Sequence, residues 1–216
     1  ADDKTQALFD NCFQLINGPD APELVIRELD NELILMLENP LNSNNYQEQY
    51  KEIDPAIIPP DSLSEEAAEE YQSYTFQGYQ IYQVKDESVG ANDLQDINRA
   101  RLIAQCDVKD SIDQIVNYVF NDNLGAVEPF EMVNGANEGI THSFRILTDA
   151  FAQGDAALVN HKAYYFIAVA YAYNNFEPFG AEKDVSQTTP YLQSRQSPSG
   201  PIRLYTAIPH DISGLG

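Results

Sequence analysis

The sequence predicts an all-β protein, an antiparallel sandwich, from three observations. Seven or eight short segments are rich in aromatic and β-branched residues, and Gly, Pro, Asn and Asp separate them. Stretches with the spacing of a helix are few and short. No internal repeat divides the chain, so the strands are predicted to form one sandwich rather than two halves.

The first segments of the chain change from a helical period to a strand period. Residues 4–16 carry apolar side chains at helical spacing, which predicts a short helix, although an extended lead-in fits equally well. The Pro-containing segment 17–22 then interrupts any regular structure. Two apolar runs follow, 23–29 and 32–37, separated by a polar pair at 30–31. This pattern predicts a strand, a turn and a second strand.

A long polar stretch, residues 39–72, is predicted to be a loop inserted between two strands. Within it, residues 62–71 predict a short helix, because Ser62 or Ser64 can cap its N-terminus and the early glutamates favour the helix dipole. Connections longer than about 12–15 residues are usually functional or mobile. The insertion is therefore a candidate interaction surface.

Six further segments predict strands: 74–84, 100–107, 114–120, 141–147, 163–173 and 202–208. The segment 163–173 is apolar on both faces, which is typical of a central strand that is packed on both sides or covered by a loop. A second interpretation is that its tyrosines form an exposed row that serves as a binding platform, since tyrosine offers a rigid surface with a polar tip.

Composition and charge exclude several classes of function. The 216 residues include 34 acidic and 12 basic side chains, which gives a formal net charge of −22. Such a charge repels phosphate backbones and anionic lipid, so neither nucleic-acid binding nor membrane-surface binding is expected. No apolar run approaches the roughly 20 residues of a membrane-spanning helix. The hydrophobic content of 43% is enough for a core and too high for a disordered acidic tail.

The sequence holds no motif of a known catalytic site. A nucleophile elbow, a phosphate-binding loop, a dinucleotide-binding loop and a zinc-protease helix are all absent from it. The three histidines, His142, His161 and His210, lie in separate segments without metal-ligand spacing. We therefore expect a protein that is not an enzyme.

A calcium ion is the one cofactor that the residues suggest. Asp86, Asp93 and Asp96 fall in one loop between predicted strands, and Asp107 and Asp110 form an alternative cluster. Calcium takes six to eight oxygen ligands, mostly from carboxylates and carbonyls. Neither loop has the spacing of an EF-hand, so solvated acidic loops are the competing interpretation.

The two cysteines, Cys12 and Cys106, are too few and too distant in sequence for a zinc site. Two interpretations stay open. Both residues can be small buried apolar side chains, or they can form one disulfide bond between neighbouring segments.

The order of segments resembles a fibronectin type III domain. Residues 19–24 and 32–37 are similar to its A and B strands, and 76–82, with the motif Gly-Tyr-x-Ile-Tyr, is similar to its C strand. Leu158 and Tyr164 have the Leu-x5-Tyr spacing that places the family's corner tyrosine on strand F, and 202–208 resembles strand G. The tryptophan usual on strand B is absent, and Leu37 occupies its place.

The resemblance implies a fibronectin type III or immunoglobulin-like sandwich with a long B–C insertion at 39–72. It implies a single domain over residues 18–210, a lead-in or linker at 1–17 and a linker at 211–216. Residues 149–151 and 158–162 are further similar to modules of large cell-surface proteins of Bacteroidetes, many of which use the type IX secretion route.

This narrower similarity implies a non-catalytic extracellular module for spacing, docking or adhesion within a larger surface protein. Its partners would be another protein or neighbouring domains of the same chain. A glycan-binding module and an accessory domain of a secreted hydrolase are the alternatives. A flat row of exposed aromatic side chains would favour glycan binding, and a long apolar loop over a sheet edge would favour protein docking.

Overall fold

Strands dominate the computed structural model, which describes residues 16–180 and 186–211. Within these ranges it contains eleven β-strands and one α-helix, α1 (Glu65–Gln72). The strands are β1 (Glu23–Leu29), β2 (Glu32–Glu38), β3 (Lys51–Ile53), β4 (Ser73–Val84), β5 (Ala100–Asp107), β6 (Gln114–Asn121), β7 (Ala126–Asn134), β8 (Ser143–Ile146), β9 (Tyr164–Tyr173), β10 (Tyr191–Gln193) and β11 (Tyr205–Ala207). All named pairs are antiparallel, so the predicted all-β sandwich is confirmed. The helix predicted at residues 4–16 lies almost entirely outside the described residues.

The smaller sheet has the order β1-β2-β8. The predicted turn at Asp30 and Asn31 joins its first two strands, and Asn31 adopts a positive φ of 52° that asparagine tolerates well. Along β2, Leu33, Leu35 and Leu37 are buried while the residues between them are partly exposed. This period of two turns one face of the sheet toward the core.

The larger sheet is built around β9 and β4, which pair with each other over most of their length. Its order is β10-β9-β4-β3, while β5 pairs with β4, and β11 pairs with β9. The short strands β10 and β11 share one edge of β9, because β10 pairs with residues 171–173 and β11 with residues 164–166.

The main core fills the space between the two sheets. Within the larger sheet, small side chains on β9 are cross-strand neighbours of large ones on β4: Ala170 pairs with Tyr79, and Ala168 pairs with Ile81. The fully or nearly buried members are Leu24, Leu33, Leu35, Leu37, Tyr79, Ile81, Ile146, Phe166, Ala168, Ala170 and Ala172. Burying one leucine side chain contributes about 1.5–3 kcal/mol, so this cluster is the main stabilising element of the fold.

The opposite face of the larger sheet is also covered. Tyr82 and Val169 pack against Val89 and Leu94 of the connection between β4 and β5. Further along the same face, Tyr171 and Tyr191 pack against one side chain of β6 and one of β7. The prediction that the segment 163–173 is a central strand, apolar and covered on both faces, is therefore confirmed.

The insertion at 39–72 is more structured than the predicted loop. The helix α1 begins after Ser64, whose hydroxyl oxygen accepts a hydrogen bond from the backbone N–H of Ala67 (3.4 Å), so one of the two predicted caps is confirmed. The short strand β3 was not predicted. Tyr50 and Ile57 are buried in the main core, so part of the insertion is a component of the fold. Within the described ranges, no helix has the length and apolar character needed to cross a membrane.

The hairpin β6–β7 forms a separate two-stranded sheet. The sequence predicted β6 but not β7, because Pro129 interrupts the apolar pattern and cannot donate a ladder hydrogen bond. A tight turn at residues 121–125 joins the two strands, and Gly125 adopts a positive φ of 61° there. This hairpin stands over the outer face of the larger sheet.

Candidate functional site

The loop 86–96, the first predicted calcium site, engages its carboxylates within its own chain. Each carboxylate has a partner: Asp86 accepts from Ser88, Asp93 from Gly90 and Arg99, and Asp96 from Asn98. The hydrogen bonds from Ser88 hold the pKa of Asp86 below its ordinary value. Among residues 16–180 and 186–211, no three His, Cys, Asp or Glu side chains are grouped so that they could hold a metal ion. Calcium binding at this loop stays a prediction, and it would require the ion to displace these partners.

The alternative acidic cluster has structural contacts of its own. Both carboxylate oxygens of buried Asp107 lie 3.0 Å from the backbone N–H of Asn137. Its carboxylate also lies against Gly135, where an added Cβ would come within 2.2 Å of Oδ2. The exposed Asp110 accepts a hydrogen bond from the side-chain amide of Gln77 at 3.0 Å. These contacts tie the segment after β7 to the end of β5.

The predicted corner tyrosine is confirmed. Tyr164 is 2% exposed, and its hydroxyl accepts a hydrogen bond from the backbone N–H of Val159 at 2.9 Å. Tyr171, on the same strand, is fully buried, and Tyr165 and Tyr173 are partly buried. The tyrosines of β9 are therefore core residues, and the alternative interpretation of an exposed tyrosine platform on this strand is wrong.

Cys106 is a free, buried thiol that donates to the carbonyl of Thr141 at 3.3 Å. Burial raises the pKa of this thiol above its ordinary value. Cys12 lies outside the described residues, so its predicted proximity to Cys106 stays a prediction.

A cleft of about 640 Å³ lies between β5, β7 and the connection that precedes β5. The side chain of Gln80, at its floor, is fully engaged: its amide donates to Gln105 (2.9 Å) and to the carbonyl of Met132 (3.0 Å). Its carbonyl oxygen accepts from Tyr82 (3.1 Å) and Tyr191 (2.9 Å). This network leaves Gln80 no free hydrogen-bonding group for a ligand and instead fastens β7 to the larger sheet.

The distal half of the hairpin is an exposed surface that carries five large apolar side chains. Residues 119–130, which we call the arm, are all exposed except Asn121, which is partly exposed. Five large apolar side chains of the arm are between 41% and 64% exposed: Val119, Phe120, Leu124, Val127 and Phe130. Large exposed apolar surfaces mark interaction sites in soluble proteins, so five exposed apolar side chains on one hairpin make the arm a candidate interaction site.

The register of the hairpin distributes these side chains over both of its faces. Phe120 pairs with Val127, so both lie on one face. Val119 pairs with Glu128, and Phe130 lies two residues further along the same side of β7. Both faces of the arm are thus apolar and exposed, whereas a hairpin that packs against its own domain buries one of them.

The base of the hairpin is firmly attached. The backbone N–H of Tyr118 donates to the carbonyl of Thr188 at 2.7 Å, and the Tyr118 ring stacks on Phe179 with centroids 4.1 Å apart. Asn117 accepts a hydrogen bond from the backbone N–H of Tyr191 at 3.0 Å. The base of the hairpin therefore holds the arm at a defined position, while the arm, residues 119–130, is largely exposed among the described residues.

Carboxylates are the charged groups in the stretch of sequence that contains the arm. Between Lys109 and Arg145 the sequence has no lysine or arginine, and it has six carboxylates: Asp110, Asp113, Asp122, Glu128, Glu131 and Glu138. The ion pairs found among the described residues all lie elsewhere in the molecule. The arm therefore presents apolar side chains beside carboxylates that have no cation of their own among these residues.

Sequence reasoning missed this site, although one signal was present. The run Asn121-Asp122-Asn123-Leu124-Gly125 is a turn pattern, and it separates two segments that are rich in valine and phenylalanine. Comparison with protein-family models, with curated proteins and with solved structures finds no match to this chain.

Proposed function

We propose that this chain is a non-catalytic interaction module of an extracellular surface protein, and that it docks onto a protein partner through the arm. The observation that carries the proposal is the arm itself: five large apolar side chains, exposed on both faces of a hairpin whose base is fixed. A partner that covers them would remove apolar area from water, which is the main driving force of protein association.

We further propose that the scaffold of this module is a fibronectin type III-like sandwich, and the strand order supports this. A three-stranded sheet, β1-β2-β8, packs against a sheet in which β5, β4 and β9 are neighbours and β10 and β11 share the next edge. Domains with this architecture serve as spacers and binding modules, and their interaction sites commonly lie in inserted loops and hairpins. The hairpin β6–β7 is such an insertion, because it lies between β5 and β8 and joins neither sheet.

The experiment places a photo-crosslinking amino acid, p-benzoylphenylalanine, at position 120 or 130 and irradiates intact cells that make the protein. Both arm positions are expected to give an adduct of the same mass, and mass spectrometry of the adduct identifies the partner. The matched control is position 41, because Leu41 is 81% exposed and lies in the insertion at 39–72, outside the arm. Adducts at position 41 with none at the arm, or no adduct at any position, would contradict the proposal.

A further inference from the structure

We infer that the partner of the arm presents apolar side chains flanked by lysine or arginine, so that a basic protein surface binds the arm. This inference rests on the proposed function, since it concerns the chemistry of the protein that docks there. It is carried by three features of the described residues: apolar surface on two faces, carboxylates set among the apolar side chains, and the absence of lysine and arginine between Lys109 and Arg145.

The first step concerns the shape of the partner. One face of the arm offers Phe120 and Val127, and the other offers Val119 and Phe130. An isolated two-stranded ribbon is marginally stable in water, so a partner that contacts both faces also stabilises the ribbon. The partner therefore offers an apolar surface that extends around the ribbon, and a flat patch against one face would leave half of the apolar side chains in water.

The second step concerns the charge of the partner. Glu128 is the cross-strand neighbour of Val119 on the same face, and its carboxylate accepts a hydrogen bond from Asn121 at 2.7 Å. An interface that covers Val119 and Phe130 necessarily removes water from Glu128 as well. Taking a carboxylate out of water is costly unless a cation pairs with it. No ion pair found among residues 16–180 and 186–211 involves Glu128, so we expect the partner to supply the cation.

The third step excludes two other occupants. A second copy of this chain also carries a net charge of −22 and has the same acidic arm, so charge repulsion opposes its docking. An anionic lipid surface is repelled for the same reason. A basic protein surface is attracted over a distance of about 8 Å, the screening length at physiological ionic strength.

The test uses three fluorescein-labelled nine-residue peptides with alternating sequences: Lys-Val, Lys-Ser and Glu-Val. Binding to the whole protein is followed by fluorescence anisotropy at two salt concentrations. We expect saturable binding of the Lys-Val peptide that weakens at high salt, and much weaker binding of the other two, because only the first combines apolar and basic side chains.

Variants then locate the binding site on the protein. Phe120→Ser combined with Phe130→Ser is expected to weaken binding of the Lys-Val peptide by about tenfold or more. Glu128→Gln is expected to reduce the salt dependence of this binding. Leu41→Ser and Glu66→Gln, at exposed positions outside the arm, are the matched controls and are expected to bind like the unaltered protein. Circular dichroism confirms that each variant is folded.

Four results would overturn the inference. Equal binding of the Lys-Val peptide to the Phe120→Ser/Phe130→Ser variant would mean that general acidity, and not the arm, attracts it. Equal or tighter binding of the Glu-Val peptide would remove the charge requirement. Concentration-dependent dimers, or binding to neutral phosphatidylcholine vesicles, that are lost in the same double variant would assign the arm to self-association or lipid. An arm-specific crosslink without binding of the Lys-Val peptide would refute only the basic chemistry and leave the docking function intact.

Discussion

The buried carboxylate of Asp149 accepts hydrogen bonds and also pairs with a cation. Substitutions at Asp149 separate the contributions of these two interactions to stability. Asp149 is 5% exposed and accepts from the side-chain amide of buried Gln83 at 2.7 Å and from the backbone N–H of Phe151 at 2.9 Å. Its second oxygen lies 2.7 Å from Lys162 Nζ, and the Lys162 side chain is 54% exposed. We expect the acceptor role to matter more than the ion pair.

The structure sets the size of each effect. Asp149→Ala leaves the Gln83 amide and the Phe151 N–H without an acceptor, and a buried unsatisfied group costs about 1–3 kcal/mol. Because Phe151 is only partly buried, the expected loss in the free energy of unfolding is about 2–4 kcal/mol. Asp149→Asn keeps an oxygen for both donors and removes only the pairing with half-exposed Lys162, for which about 1 kcal/mol is the upper expectation.

The pH dependence of the free energy of unfolding tests the role of Asp149 in a second way. Burial raises the pKa of Asp149, but the hydrogen bonds from Lys162, Phe151 and Gln83 outweigh it and hold this pKa below its ordinary value. A carboxylate with a lowered folded-state pKa contributes stability above its unfolded pKa of about 3.9, and this contribution is lost as the pH falls through the folded-state value. The difference between the unaltered protein and Asp149→Asn is therefore expected to narrow below about pH 4.

Urea unfolding at pH 7 and at pH 3, followed by circular dichroism, measures these free energies. In thermal unfolding at pH 7, Asp149→Ala should lower the midpoint by about 5–15 °C, since 1 kcal/mol corresponds to about 2–4 °C for a chain of this size. If Asp149→Asn destabilises as much as Asp149→Ala, or if its difference from the unaltered protein does not change with pH, the reasoning is refuted.

Three further predictions concern single residues. Tyr164→Phe removes the acceptor for the backbone N–H of Val159 and should cost about 1 kcal/mol, seen as a midpoint lower by about 2–4 °C; an unchanged midpoint would contradict the corner role. The Cys106 thiol, buried and with a raised pKa, should react with iodoacetamide at pH 8 only after unfolding, as peptide mapping can show, and alkylation in the folded state would contradict its burial. Calcium binding at the loop 86–96 predicts a higher midpoint in millimolar CaCl₂ than in NaCl of matched ionic strength, and Asp93→Asn should abolish this difference; equal midpoints would mean that the contacts of Asp93, including its ion pair with Arg99, are not displaced by calcium.

The sequence predicted those parts of the fold that local pattern controls. The alternation of leucines on β2 and the polar pair at residues 30–31 are local signals, and the structure has a strand and a tight turn there. The apolar run 163–173 predicted a central strand because only a strand covered on both faces can bury both of its sides. In each case the local sequence alone determines which side chains are buried in the fold.

Short strands were missed because their partners define them. The strand β3 has three residues, and it exists only through its pairing with residues 73–75 of β4. The strand β10 likewise forms on the end of β9. The longer strand β7 was missed for another reason, because Pro129 interrupts its apolar pattern. Pairing between distant segments depends on the whole sheet and leaves little trace in a three-residue sequence.

The candidate site was unpredictable for a related reason. Phe120 and Phe130 are ordinary strand residues in sequence, and whether they are buried depends on whether another sheet covers the hairpin. The acidic loop, by contrast, attracted attention by its composition, and the structure gives Asp86, Asp93 and Asp96 partners in their own loop. Composition indicated where charge lies, but the exposed apolar surface follows only from the three-dimensional packing.

The central claim is that the apolar residues of the arm serve a partner and not the fold, and equilibrium unfolding of the isolated chain tests it most directly. Phe120→Ser combined with Phe130→Ser is compared with Ile115→Ala, which truncates a residue 1% exposed at the base of the same hairpin. For the arm variant we predict that the free energy of unfolding changes by no more than about 1 kcal/mol, as for exposed residues with only a cross-strand contact. For Ile115→Ala we predict that it falls by about 2–5 kcal/mol. A loss from the arm variant as large as that from Ile115→Ala would contradict the claim, because it would mean that the arm belongs to the core.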